Sequence, residues 1–424
     1  MRIRTSLPDL QVAGILSLLL ALLVAAHATA APSQQRYVVT AYGAKGDGQT
    51  LNTPAIQAAI NACAAAKGGT VVVPAGVFVS GALFLKPGVS LLVEKDGQLK
   101  GSTNPDDYPQ INTRWEGVER EFTAAFINAD NLRNFSISGP GTIDGSGDEW
   151  VRQARLQRES GTVETGPRRG RPRLLGIQNC QNVRVEGLRL HNQAVWGLHL
   201  LYCRNVTVAN LTITADHNIP SSDGIDVDSS EKVRIVGCTI DVNDDCISIK
   251  SGKDADGLRV NRPSENILIE KCHFAYGHGG VAMGSETSGG IRRVVVRNCL
   301  VDSENWAPIR FKSQPSRGGV VERITYRNIH VSGTRKAVEF NLAWRMVPPL
   351  APPAAVLPVV RRVRLIHVWG TATAVGDFHG LPDSPIIDVK FRRCTIEAQR
   401  GLLLEHTSDV DVSGLRLMVK EGAK

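Results

Sequence analysis

Asp223, Asp244, Asp245, His278, Arg310 and Lys312 stand at matching offsets from pairs of alternating apolar residues. The pairs are Leu198/Leu200, Ile225/Val227, Ile247/Ile249, Val281/Met283 and Ile309/Phe311. Each pair reads as one strand with two side chains turned inward, so the residue between them turns outward. The outward set is His199, Asp226, Ser248, Ala282 and Arg310, followed one step on by Asp228, Lys250 and Lys312. Asp223 and Asp245 each precede their pair by two residues, and Asp244 and His278 share the offset one step earlier. If these strands stack, their backbones lie roughly 5 Å apart. Strict alternation would turn Asp223 and Asp245 inward, which is costly for bare charges. A turn or bulge at the strand entrance is therefore expected to aim Asp223, Asp244 and Asp245 outward.

Carboxyls, an imidazole and two cations on one face suit the hydrolysis of a glycosidic bond in an acidic sugar. That reaction needs one protonated carboxylic acid for the leaving oxygen and one carboxylate for water or for direct attack. Crowded like charges raise the pKa of at least one carboxyl, which keeps an acid available. Arg310 and Lys312 would hold an anionic sugar, the arginine as a flat two-pronged donor. His278 would orient the acid or help protonate it. Taken singly, Asp-Asp is an ordinary solvated turn, Arg-x-Lys a solvated face and Gly-His-Gly a loop. Their common register is what argues for a site.

The elements that must carry them repeat. An eight-residue pattern of two short alternating halves with a two-residue break recurs at 183–190, 206–213, 233–240, 267–274, 294–301 and 324–331. Later copies begin at Val389 and Val410, and a weaker one begins at Phe135. Each half reads as a half-buried strand and each break as a corner. The spacing is that of a solenoid whose units bury their apolar faces only by stacking. Strand, corner and strand without helical periodicity predict an all-β fold, a parallel β-helix. The Leu and Asn framework of leucine-rich repeats is absent, and the corners lack the hairpin chemistry of a propeller. Residues 53–66 read as a helix with Ile56, Ala59, Ile60 and Cys63 on one face, capping the open end of the stack. Residues 71–74, 83–85 and 91–94 read as strands of the first coils, and 152–173 and 344–358 as long loops.

Composition bounds the partners. The 424 residues carry a formal charge of +8, with few aromatics and 41 glycines. That charge fits an acidic polysaccharide, and the lack of zinc spacing, RNA-binding signature or long basic tract argues against nucleic acid. Four of the eight cysteines share one repeat position, so small core residues are expected rather than a disulfide framework. Residues 1–30 read as a signal peptide: Arg2 and Arg4, an apolar run over 12–26, then Ala28-Thr29-Ala30. Residues 31–424 are then one catalytic domain, secreted or periplasmic, with no membrane span.

At these motifs the sequence resembles the polygalacturonase family, glycoside hydrolase family 28. The family's Asn-Thr-Asp, Asp-Asp, Gly-His-Gly and Arg-Ile-Lys are matched in order by Ser221-Ser222-Asp223, Asp244-Asp245, Gly277-His278-Gly279 and Arg310-Phe311-Lys312. Residues 42–48 and 101–109 are similar to the family as well. The resemblance implies a right-handed single-stranded parallel β-helix, a pectin-lyase-like solenoid. It also implies hydrolysis of α-1,4-galacturonosyl linkages in polygalacturonate or pectin, with inversion. By position, Asp244 would be the general acid, Asp223 and Asp245 would hold and deprotonate water, and His278 would support the acid. Arg310 and Lys312 would bind galacturonate, with Lys250 as a further substrate contact. No metal or cofactor is implied, and a monomer is expected. Ser221-Ser222 departs from the family's Asn-Thr, and Trp344 lies where members carry a substrate-contacting Tyr. The insertion 253–263 and the arginines of 168–173 would wall off one end of a cleft. The stretches 245–252 and 279–286 look like exo-acting bacterial members, so exo cutting is expected. Two rivals remain on the same scaffold. One is a pectate lyase with Ca²⁺ held by Asp226, Asp228 and Asp241, and the other is a non-catalytic polysaccharide binder or adhesin.

Overall fold

The structure is a computed structural model that describes residues 35–159, 170–302, 306–345 and 351–419. The expected signal segment 1–30 and much of the arginine-rich stretch, residues 160–169, lie outside the described residues.

Each apolar pair predicted above forms a short strand that pairs in parallel with its counterpart one coil on. Leu198 faces Ile225, Ile225 faces Ile247, Ile247 faces Val281 and Val281 faces Ile309, which is the predicted register without a slip. The eight-residue repeats supply two further lanes. Gln181–Glu186 and Arg189–His191, for example, pair with Arg204–Ala209 and Thr212–Thr214 of the next coil. The result is a right-handed parallel β-helix, with 31 strands among the described residues, all paired in parallel, as the twist of crossover connections favours.

The corners explain how eight residues make two strands. The second residue of each break takes a left-handed backbone: Gly187, Asn210, Gly237, Lys271, Asn298 and Asn328 all have φ between 53° and 77°. Glycine takes this conformation freely, and asparagine tolerates it better than other side chains. Where corner asparagines stack they also bond along the helix, as Asn328 does to Asn298 at 2.7 Å.

Inward side chains fill the coil. Cys238, Cys272 and Cys299 occupy one buried column and, with Cys394, are the core residues expected at the repeat position; all eight cysteines are buried as free thiols. Phe311, Phe340 and Phe378 form another column, with ring centroids 4.0 and 4.2 Å apart. The helix Thr53–Ala65 buries Ile56, Ala59, Ile60 and Cys63 against the first coils. Its Gln57 side chain exchanges two hydrogen bonds with the Phe84 backbone.

Two features differ from expectation. Residues 152–159, expected as loop, belong to the helix Gly147–Glu159. After Gly147 that segment has no Gly or Pro, is rich in straight-chain residues, and places Asp148 and Glu149 in its first turn, all of which favour a helix. An antiparallel hairpin, Gln110–Trp115 with Val118–Thr123, lies outside the solenoid. Its two-residue turn, Glu116 and Gly117, has φ of 44° and 80°, as hairpin geometry requires. Residues 351–358 carry no strand, in line with the predicted loop.

Candidate active site

The corners before two successive strands hold the three aspartates, and the corner before the next strand holds His278. Ile225–Asp228, Ile247–Lys250 and Gly279–Met283 are entered through bends, not bulges, and backbone pairing continues through them. Gly224 N donates to Asp245 O at 3.0 Å, and His278 N donates to Asp244 O at 2.9 Å. These bends bring Asp223, Asp244 and Asp245 together, with one carboxylate oxygen from each inside a 4.8 Å span. Ser222, buried at the first bend, accepts a hydrogen bond from Asn243 N and ties the two aspartate corners together.

The three carboxyls have different surroundings. Asp245 is buried, with Oδ2 2.5 Å from Lys312 Nζ and Oδ1 3.7 Å from Arg310 Nη1. Its Oδ1 accepts no hydrogen bond among the described residues. Asp244 is half-buried, and its Oδ1 lies 3.4 Å from His278 Nδ1. Burial would raise the Asp244 carboxyl, but the His278 hydrogen bond and the charges of Lys312, His278 and Lys250 outweigh it and hold it below the usual range. Asp223 is buried, and burial together with the charges of Asp226 and Asp244 pushes it well above that range. Of the two, Asp223 is the carboxyl whose surroundings favour a proton and Asp244 the one whose surroundings favour a charge.

The cations line one wall. Arg310 donates from Nε to Glu339 Oε2 at 2.8 Å, and its guanidinium lies 4.7 Å from the Trp344 ring centroid. Lys312 Nζ is 5.7 Å from the same ring. Trp344 thus stands over both predicted sugar-binding cations. Lys250, predicted beside them, is buried with its ammonium among Glu286, Asp226 and Asp223 at 3.2, 3.6 and 3.9 Å.

Among the described residues, Asp223, Asp244 and Asp245 are the one group of three His, Cys, Asp or Glu side chains spaced to hold a cation. Protein cations already stand there, Lys312 against Asp245 and Lys250 against Asp223. The rival set of Asp226, Asp228 and Asp241 is not brought together: Asp228 pairs with Arg114 and Asp241 with His217.

Glycine is required where Gly-His-Gly meets the carboxyls. A Cβ on Gly279 would lie 2.7 Å from Asp245 Oδ1. Gly279→Ala should displace that carboxyl and lower turnover by about 10²-fold, with little change in melting temperature. Turnover within twofold of wild type would show that the contact is not needed.

Sequence reasoning missed the hairpin and its anchors. Its Arg114 donates to Asp228 Oδ1 and Ser229 Oγ, both at 2.8 Å, and the Arg114–Asp228 pair is fully buried. Losing either partner would leave a buried unpaired charge, at about 3–5 kcal/mol. Trp115 lies 4.8 Å from Trp196, whose ring faces Lys250 Nζ at 4.8 Å. Gly117 O accepts from Lys253 N, and Glu119 meets Asp256 and Arg259 of the helix Asp254–Val260. The hairpin therefore covers Asp228 through Arg114, and reaches His199 through Trp196 and Arg173.

A model of the family described as glycosyl hydrolases family 28 matches residues 63–379. An exo-poly-α-D-galacturonosidase of Dickeya chrysanthemi is 32% identical in an alignment of 331 positions that covers 68% of this chain and 54% of that protein. The chain thus spans little more than half the length of that relative. An endo-polygalacturonase of Pectobacterium carotovorum subsp. carotovorum is 30% identical in an alignment of 315 positions that covers 71% of this chain and 74% of that one. The solved structure of a hyperthermoactive exopolygalacturonase from Thermotoga maritima shares 29% identity, covers 92% of both chains and has a TM-score of 0.77.

Proposed function

The chain belongs to glycosyl hydrolases family 28, and from that premise we propose that it hydrolyses α-1,4-galacturonosyl linkages of polygalacturonate or pectin. The observation that carries this reading is the convergence of three aspartates within 4.8 Å beside two cations shaped for a uronate. Arg310 and Lys312 bind the sugar carboxylate, and Trp344 lies against the same cations. Asp244, the carboxyl nearest open solvent, protonates the glycosidic oxygen with His278 beside it. Binding of the anionic sugar offsets the charge of Lys312 and excludes water, which raises Asp244 so that it takes up a proton from solvent. Asp223 and Asp245 then hold a water between them. Their oxygens are close enough for one water to bridge, and the unoccupied Oδ1 of Asp245 is available to take its proton.

We propose single displacement with inversion. The carboxyl spacing is shorter than the roughly 6.5–9.5 Å usual for inverting enzymes and near the retaining value, so the first-formed anomer is the decisive test. Proton NMR during early turnover of polygalacturonate should show the β-anomer at the new reducing end. The α-anomer appearing first would overturn the mechanism. Reducing ends should form with chelator present and without a gain in ultraviolet absorbance, which separates hydrolysis from lyase action.

Exo cutting is supported by the hairpin 110–123 and the insertion 253–263, which cover the sheet on one side of the carboxyls. The basic, apolar and small-residue pattern of residues 1–30 supports export, to the periplasm or beyond the cell. We propose that the exported enzyme acts as a monomer on plant cell-wall pectin.

A further inference from the structure

Asp223 has a buried neighbour outside the four motifs. Asp226 points from the strand Ile225–Asp228 toward the same space, is fully buried, and receives no hydrogen bond at either oxygen from a fixed donor. One ammonium serves the cluster. Lys250 Nζ lies 3.2 Å from Glu286, 3.6 Å from Asp226 and 3.9 Å from Asp223, and Trp196 covers it from the hairpin side. Each of these four charged side chains is at least nine-tenths buried. Three carboxylates against one ammonium would leave two uncompensated charges away from water, which is prohibitively costly. Glu286 is held ionised by Lys250 and further by Arg317 and Lys312, although Arg317 is itself paired with Asp254, so the missing proton belongs to Asp223 and Asp226.

We propose that Asp226 and Lys250 are positioning residues of the hydrolytic site: the Lys250 ammonium and a proton shared between Asp226 and Asp223 fix the Asp223 carboxyl and set the pH at which it ionises. The inference rests on the hydrolase reading above. The surrounding charges agree with it. Asp244 and Asp245 face Asp223 from the groove side and disfavour a second negative charge there. On the far side Asp228 is taken up by Arg114, and buried His199, pushed down to about 4 mainly by burial, stays neutral. Arg173 lies beyond them, close enough to be influenced by Asp226. Asp226 itself is pushed up to about 7, chiefly by burial and against the pull of Lys250.

The geometry separates this role from a direct contact with substrate. A buried ammonium facing three carboxylates has little left to offer a sugar, so its removal should act on kcat and on the acid limb of the pH profile. Lys250→Met removes the charge that favours ionised Asp223. Its acid limb should move up by about one pH unit, and kcat should fall about 10- to 100-fold while KM stays within about threefold. Asp226→Asn is nearly isosteric and removes the like charge, so its limb should move down. Lys250→Arg should restore part of the lost kcat. Opposite shifts are not expected from loosened packing, and circular dichroism would show that both variants are folded.

Isotope-edited infrared spectra of the unliganded protein give a readout that needs no turnover. Near neutral pH the wild type should show a protonated carboxyl band that Asp226→Asn lacks. A KM increase with unchanged kcat in Lys250→Met would overturn the proposal and make Lys250 a substrate contact. Limbs that stay in place in both variants, or a band that persists in Asp226→Asn, would overturn it too. A wild-type chain that shows the band but releases no reducing ends would instead overturn the hydrolase reading.

Discussion

Asp244→Asn should lower reducing-end release from polygalacturonate by about 10³- to 10⁴-fold, with substrate affinity and melting temperature nearly unchanged. Asparagine keeps the shape and still accepts the hydrogen bond that Asp245 N gives to Asp244 Oδ1 at 2.9 Å. What it lacks is a proton to give. The free site holds Asp244 ionised, because His278 and the two lysines outweigh burial. Its acid form must then appear with the substrate, and activity should fall as pH rises through the pKa of Asp244 in the complex. Kinetics on polygalacturonate, with binding of an oligogalacturonide followed separately by calorimetry, would measure both quantities. Wild-type turnover in this variant would end Asp244's role as acid.

Arg310→Ala should raise KM for polygalacturonate about 10- to 100-fold, the scale of a charge-assisted hydrogen bond. It should leave the much weaker turnover of a methyl-esterified substrate within a few-fold of wild type. Arg310 is held by Glu339 at Nε and stacked by Trp344, so its free edge points in a fixed direction before any sugar arrives. An ester carbonyl carries no charge for that edge to pair, and so loses little when the guanidinium goes. Steady-state kinetics on both substrates test this. An equal loss on both would mean that Arg310 supports the architecture rather than recognises the uronate.

The register of the site was legible because one offset repeats from coil to coil. Extended one coil further back, the Asp223 and Asp245 offset falls on Trp196, which covers Lys250; a search for charged residues alone passes over it. The outward direction of Asp226 and Asp228 was also legible, but not their burial. Alternation tells which way a side chain leaves its own strand, and the hairpin whose Arg114 pairs with Asp228 comes from 110–123, a distant stretch. The hairpin's Trp115 and Phe122 stack on each other at 4.3 Å rather than on the core, so no clean alternation marks its strands. Only Glu116-Gly117 betrays the turn. The helix Gly147–Glu159 was hidden for a different reason: the Gly, Pro and Arg beyond its end resemble a linker and masked the good helix formers before them.

The buried cysteine column has a consequence for how such a chain matures. Small exported domains often borrow rigidity from covalent cross-links, whereas here each rung is locked by the one above and below. The finished solenoid asks for neither oxidant nor isomerase. A thiol reagent gains no purchase on it until a coil opens, so labelling of Cys238, Cys272 or Cys299 becomes a clock for local unfolding of the stack.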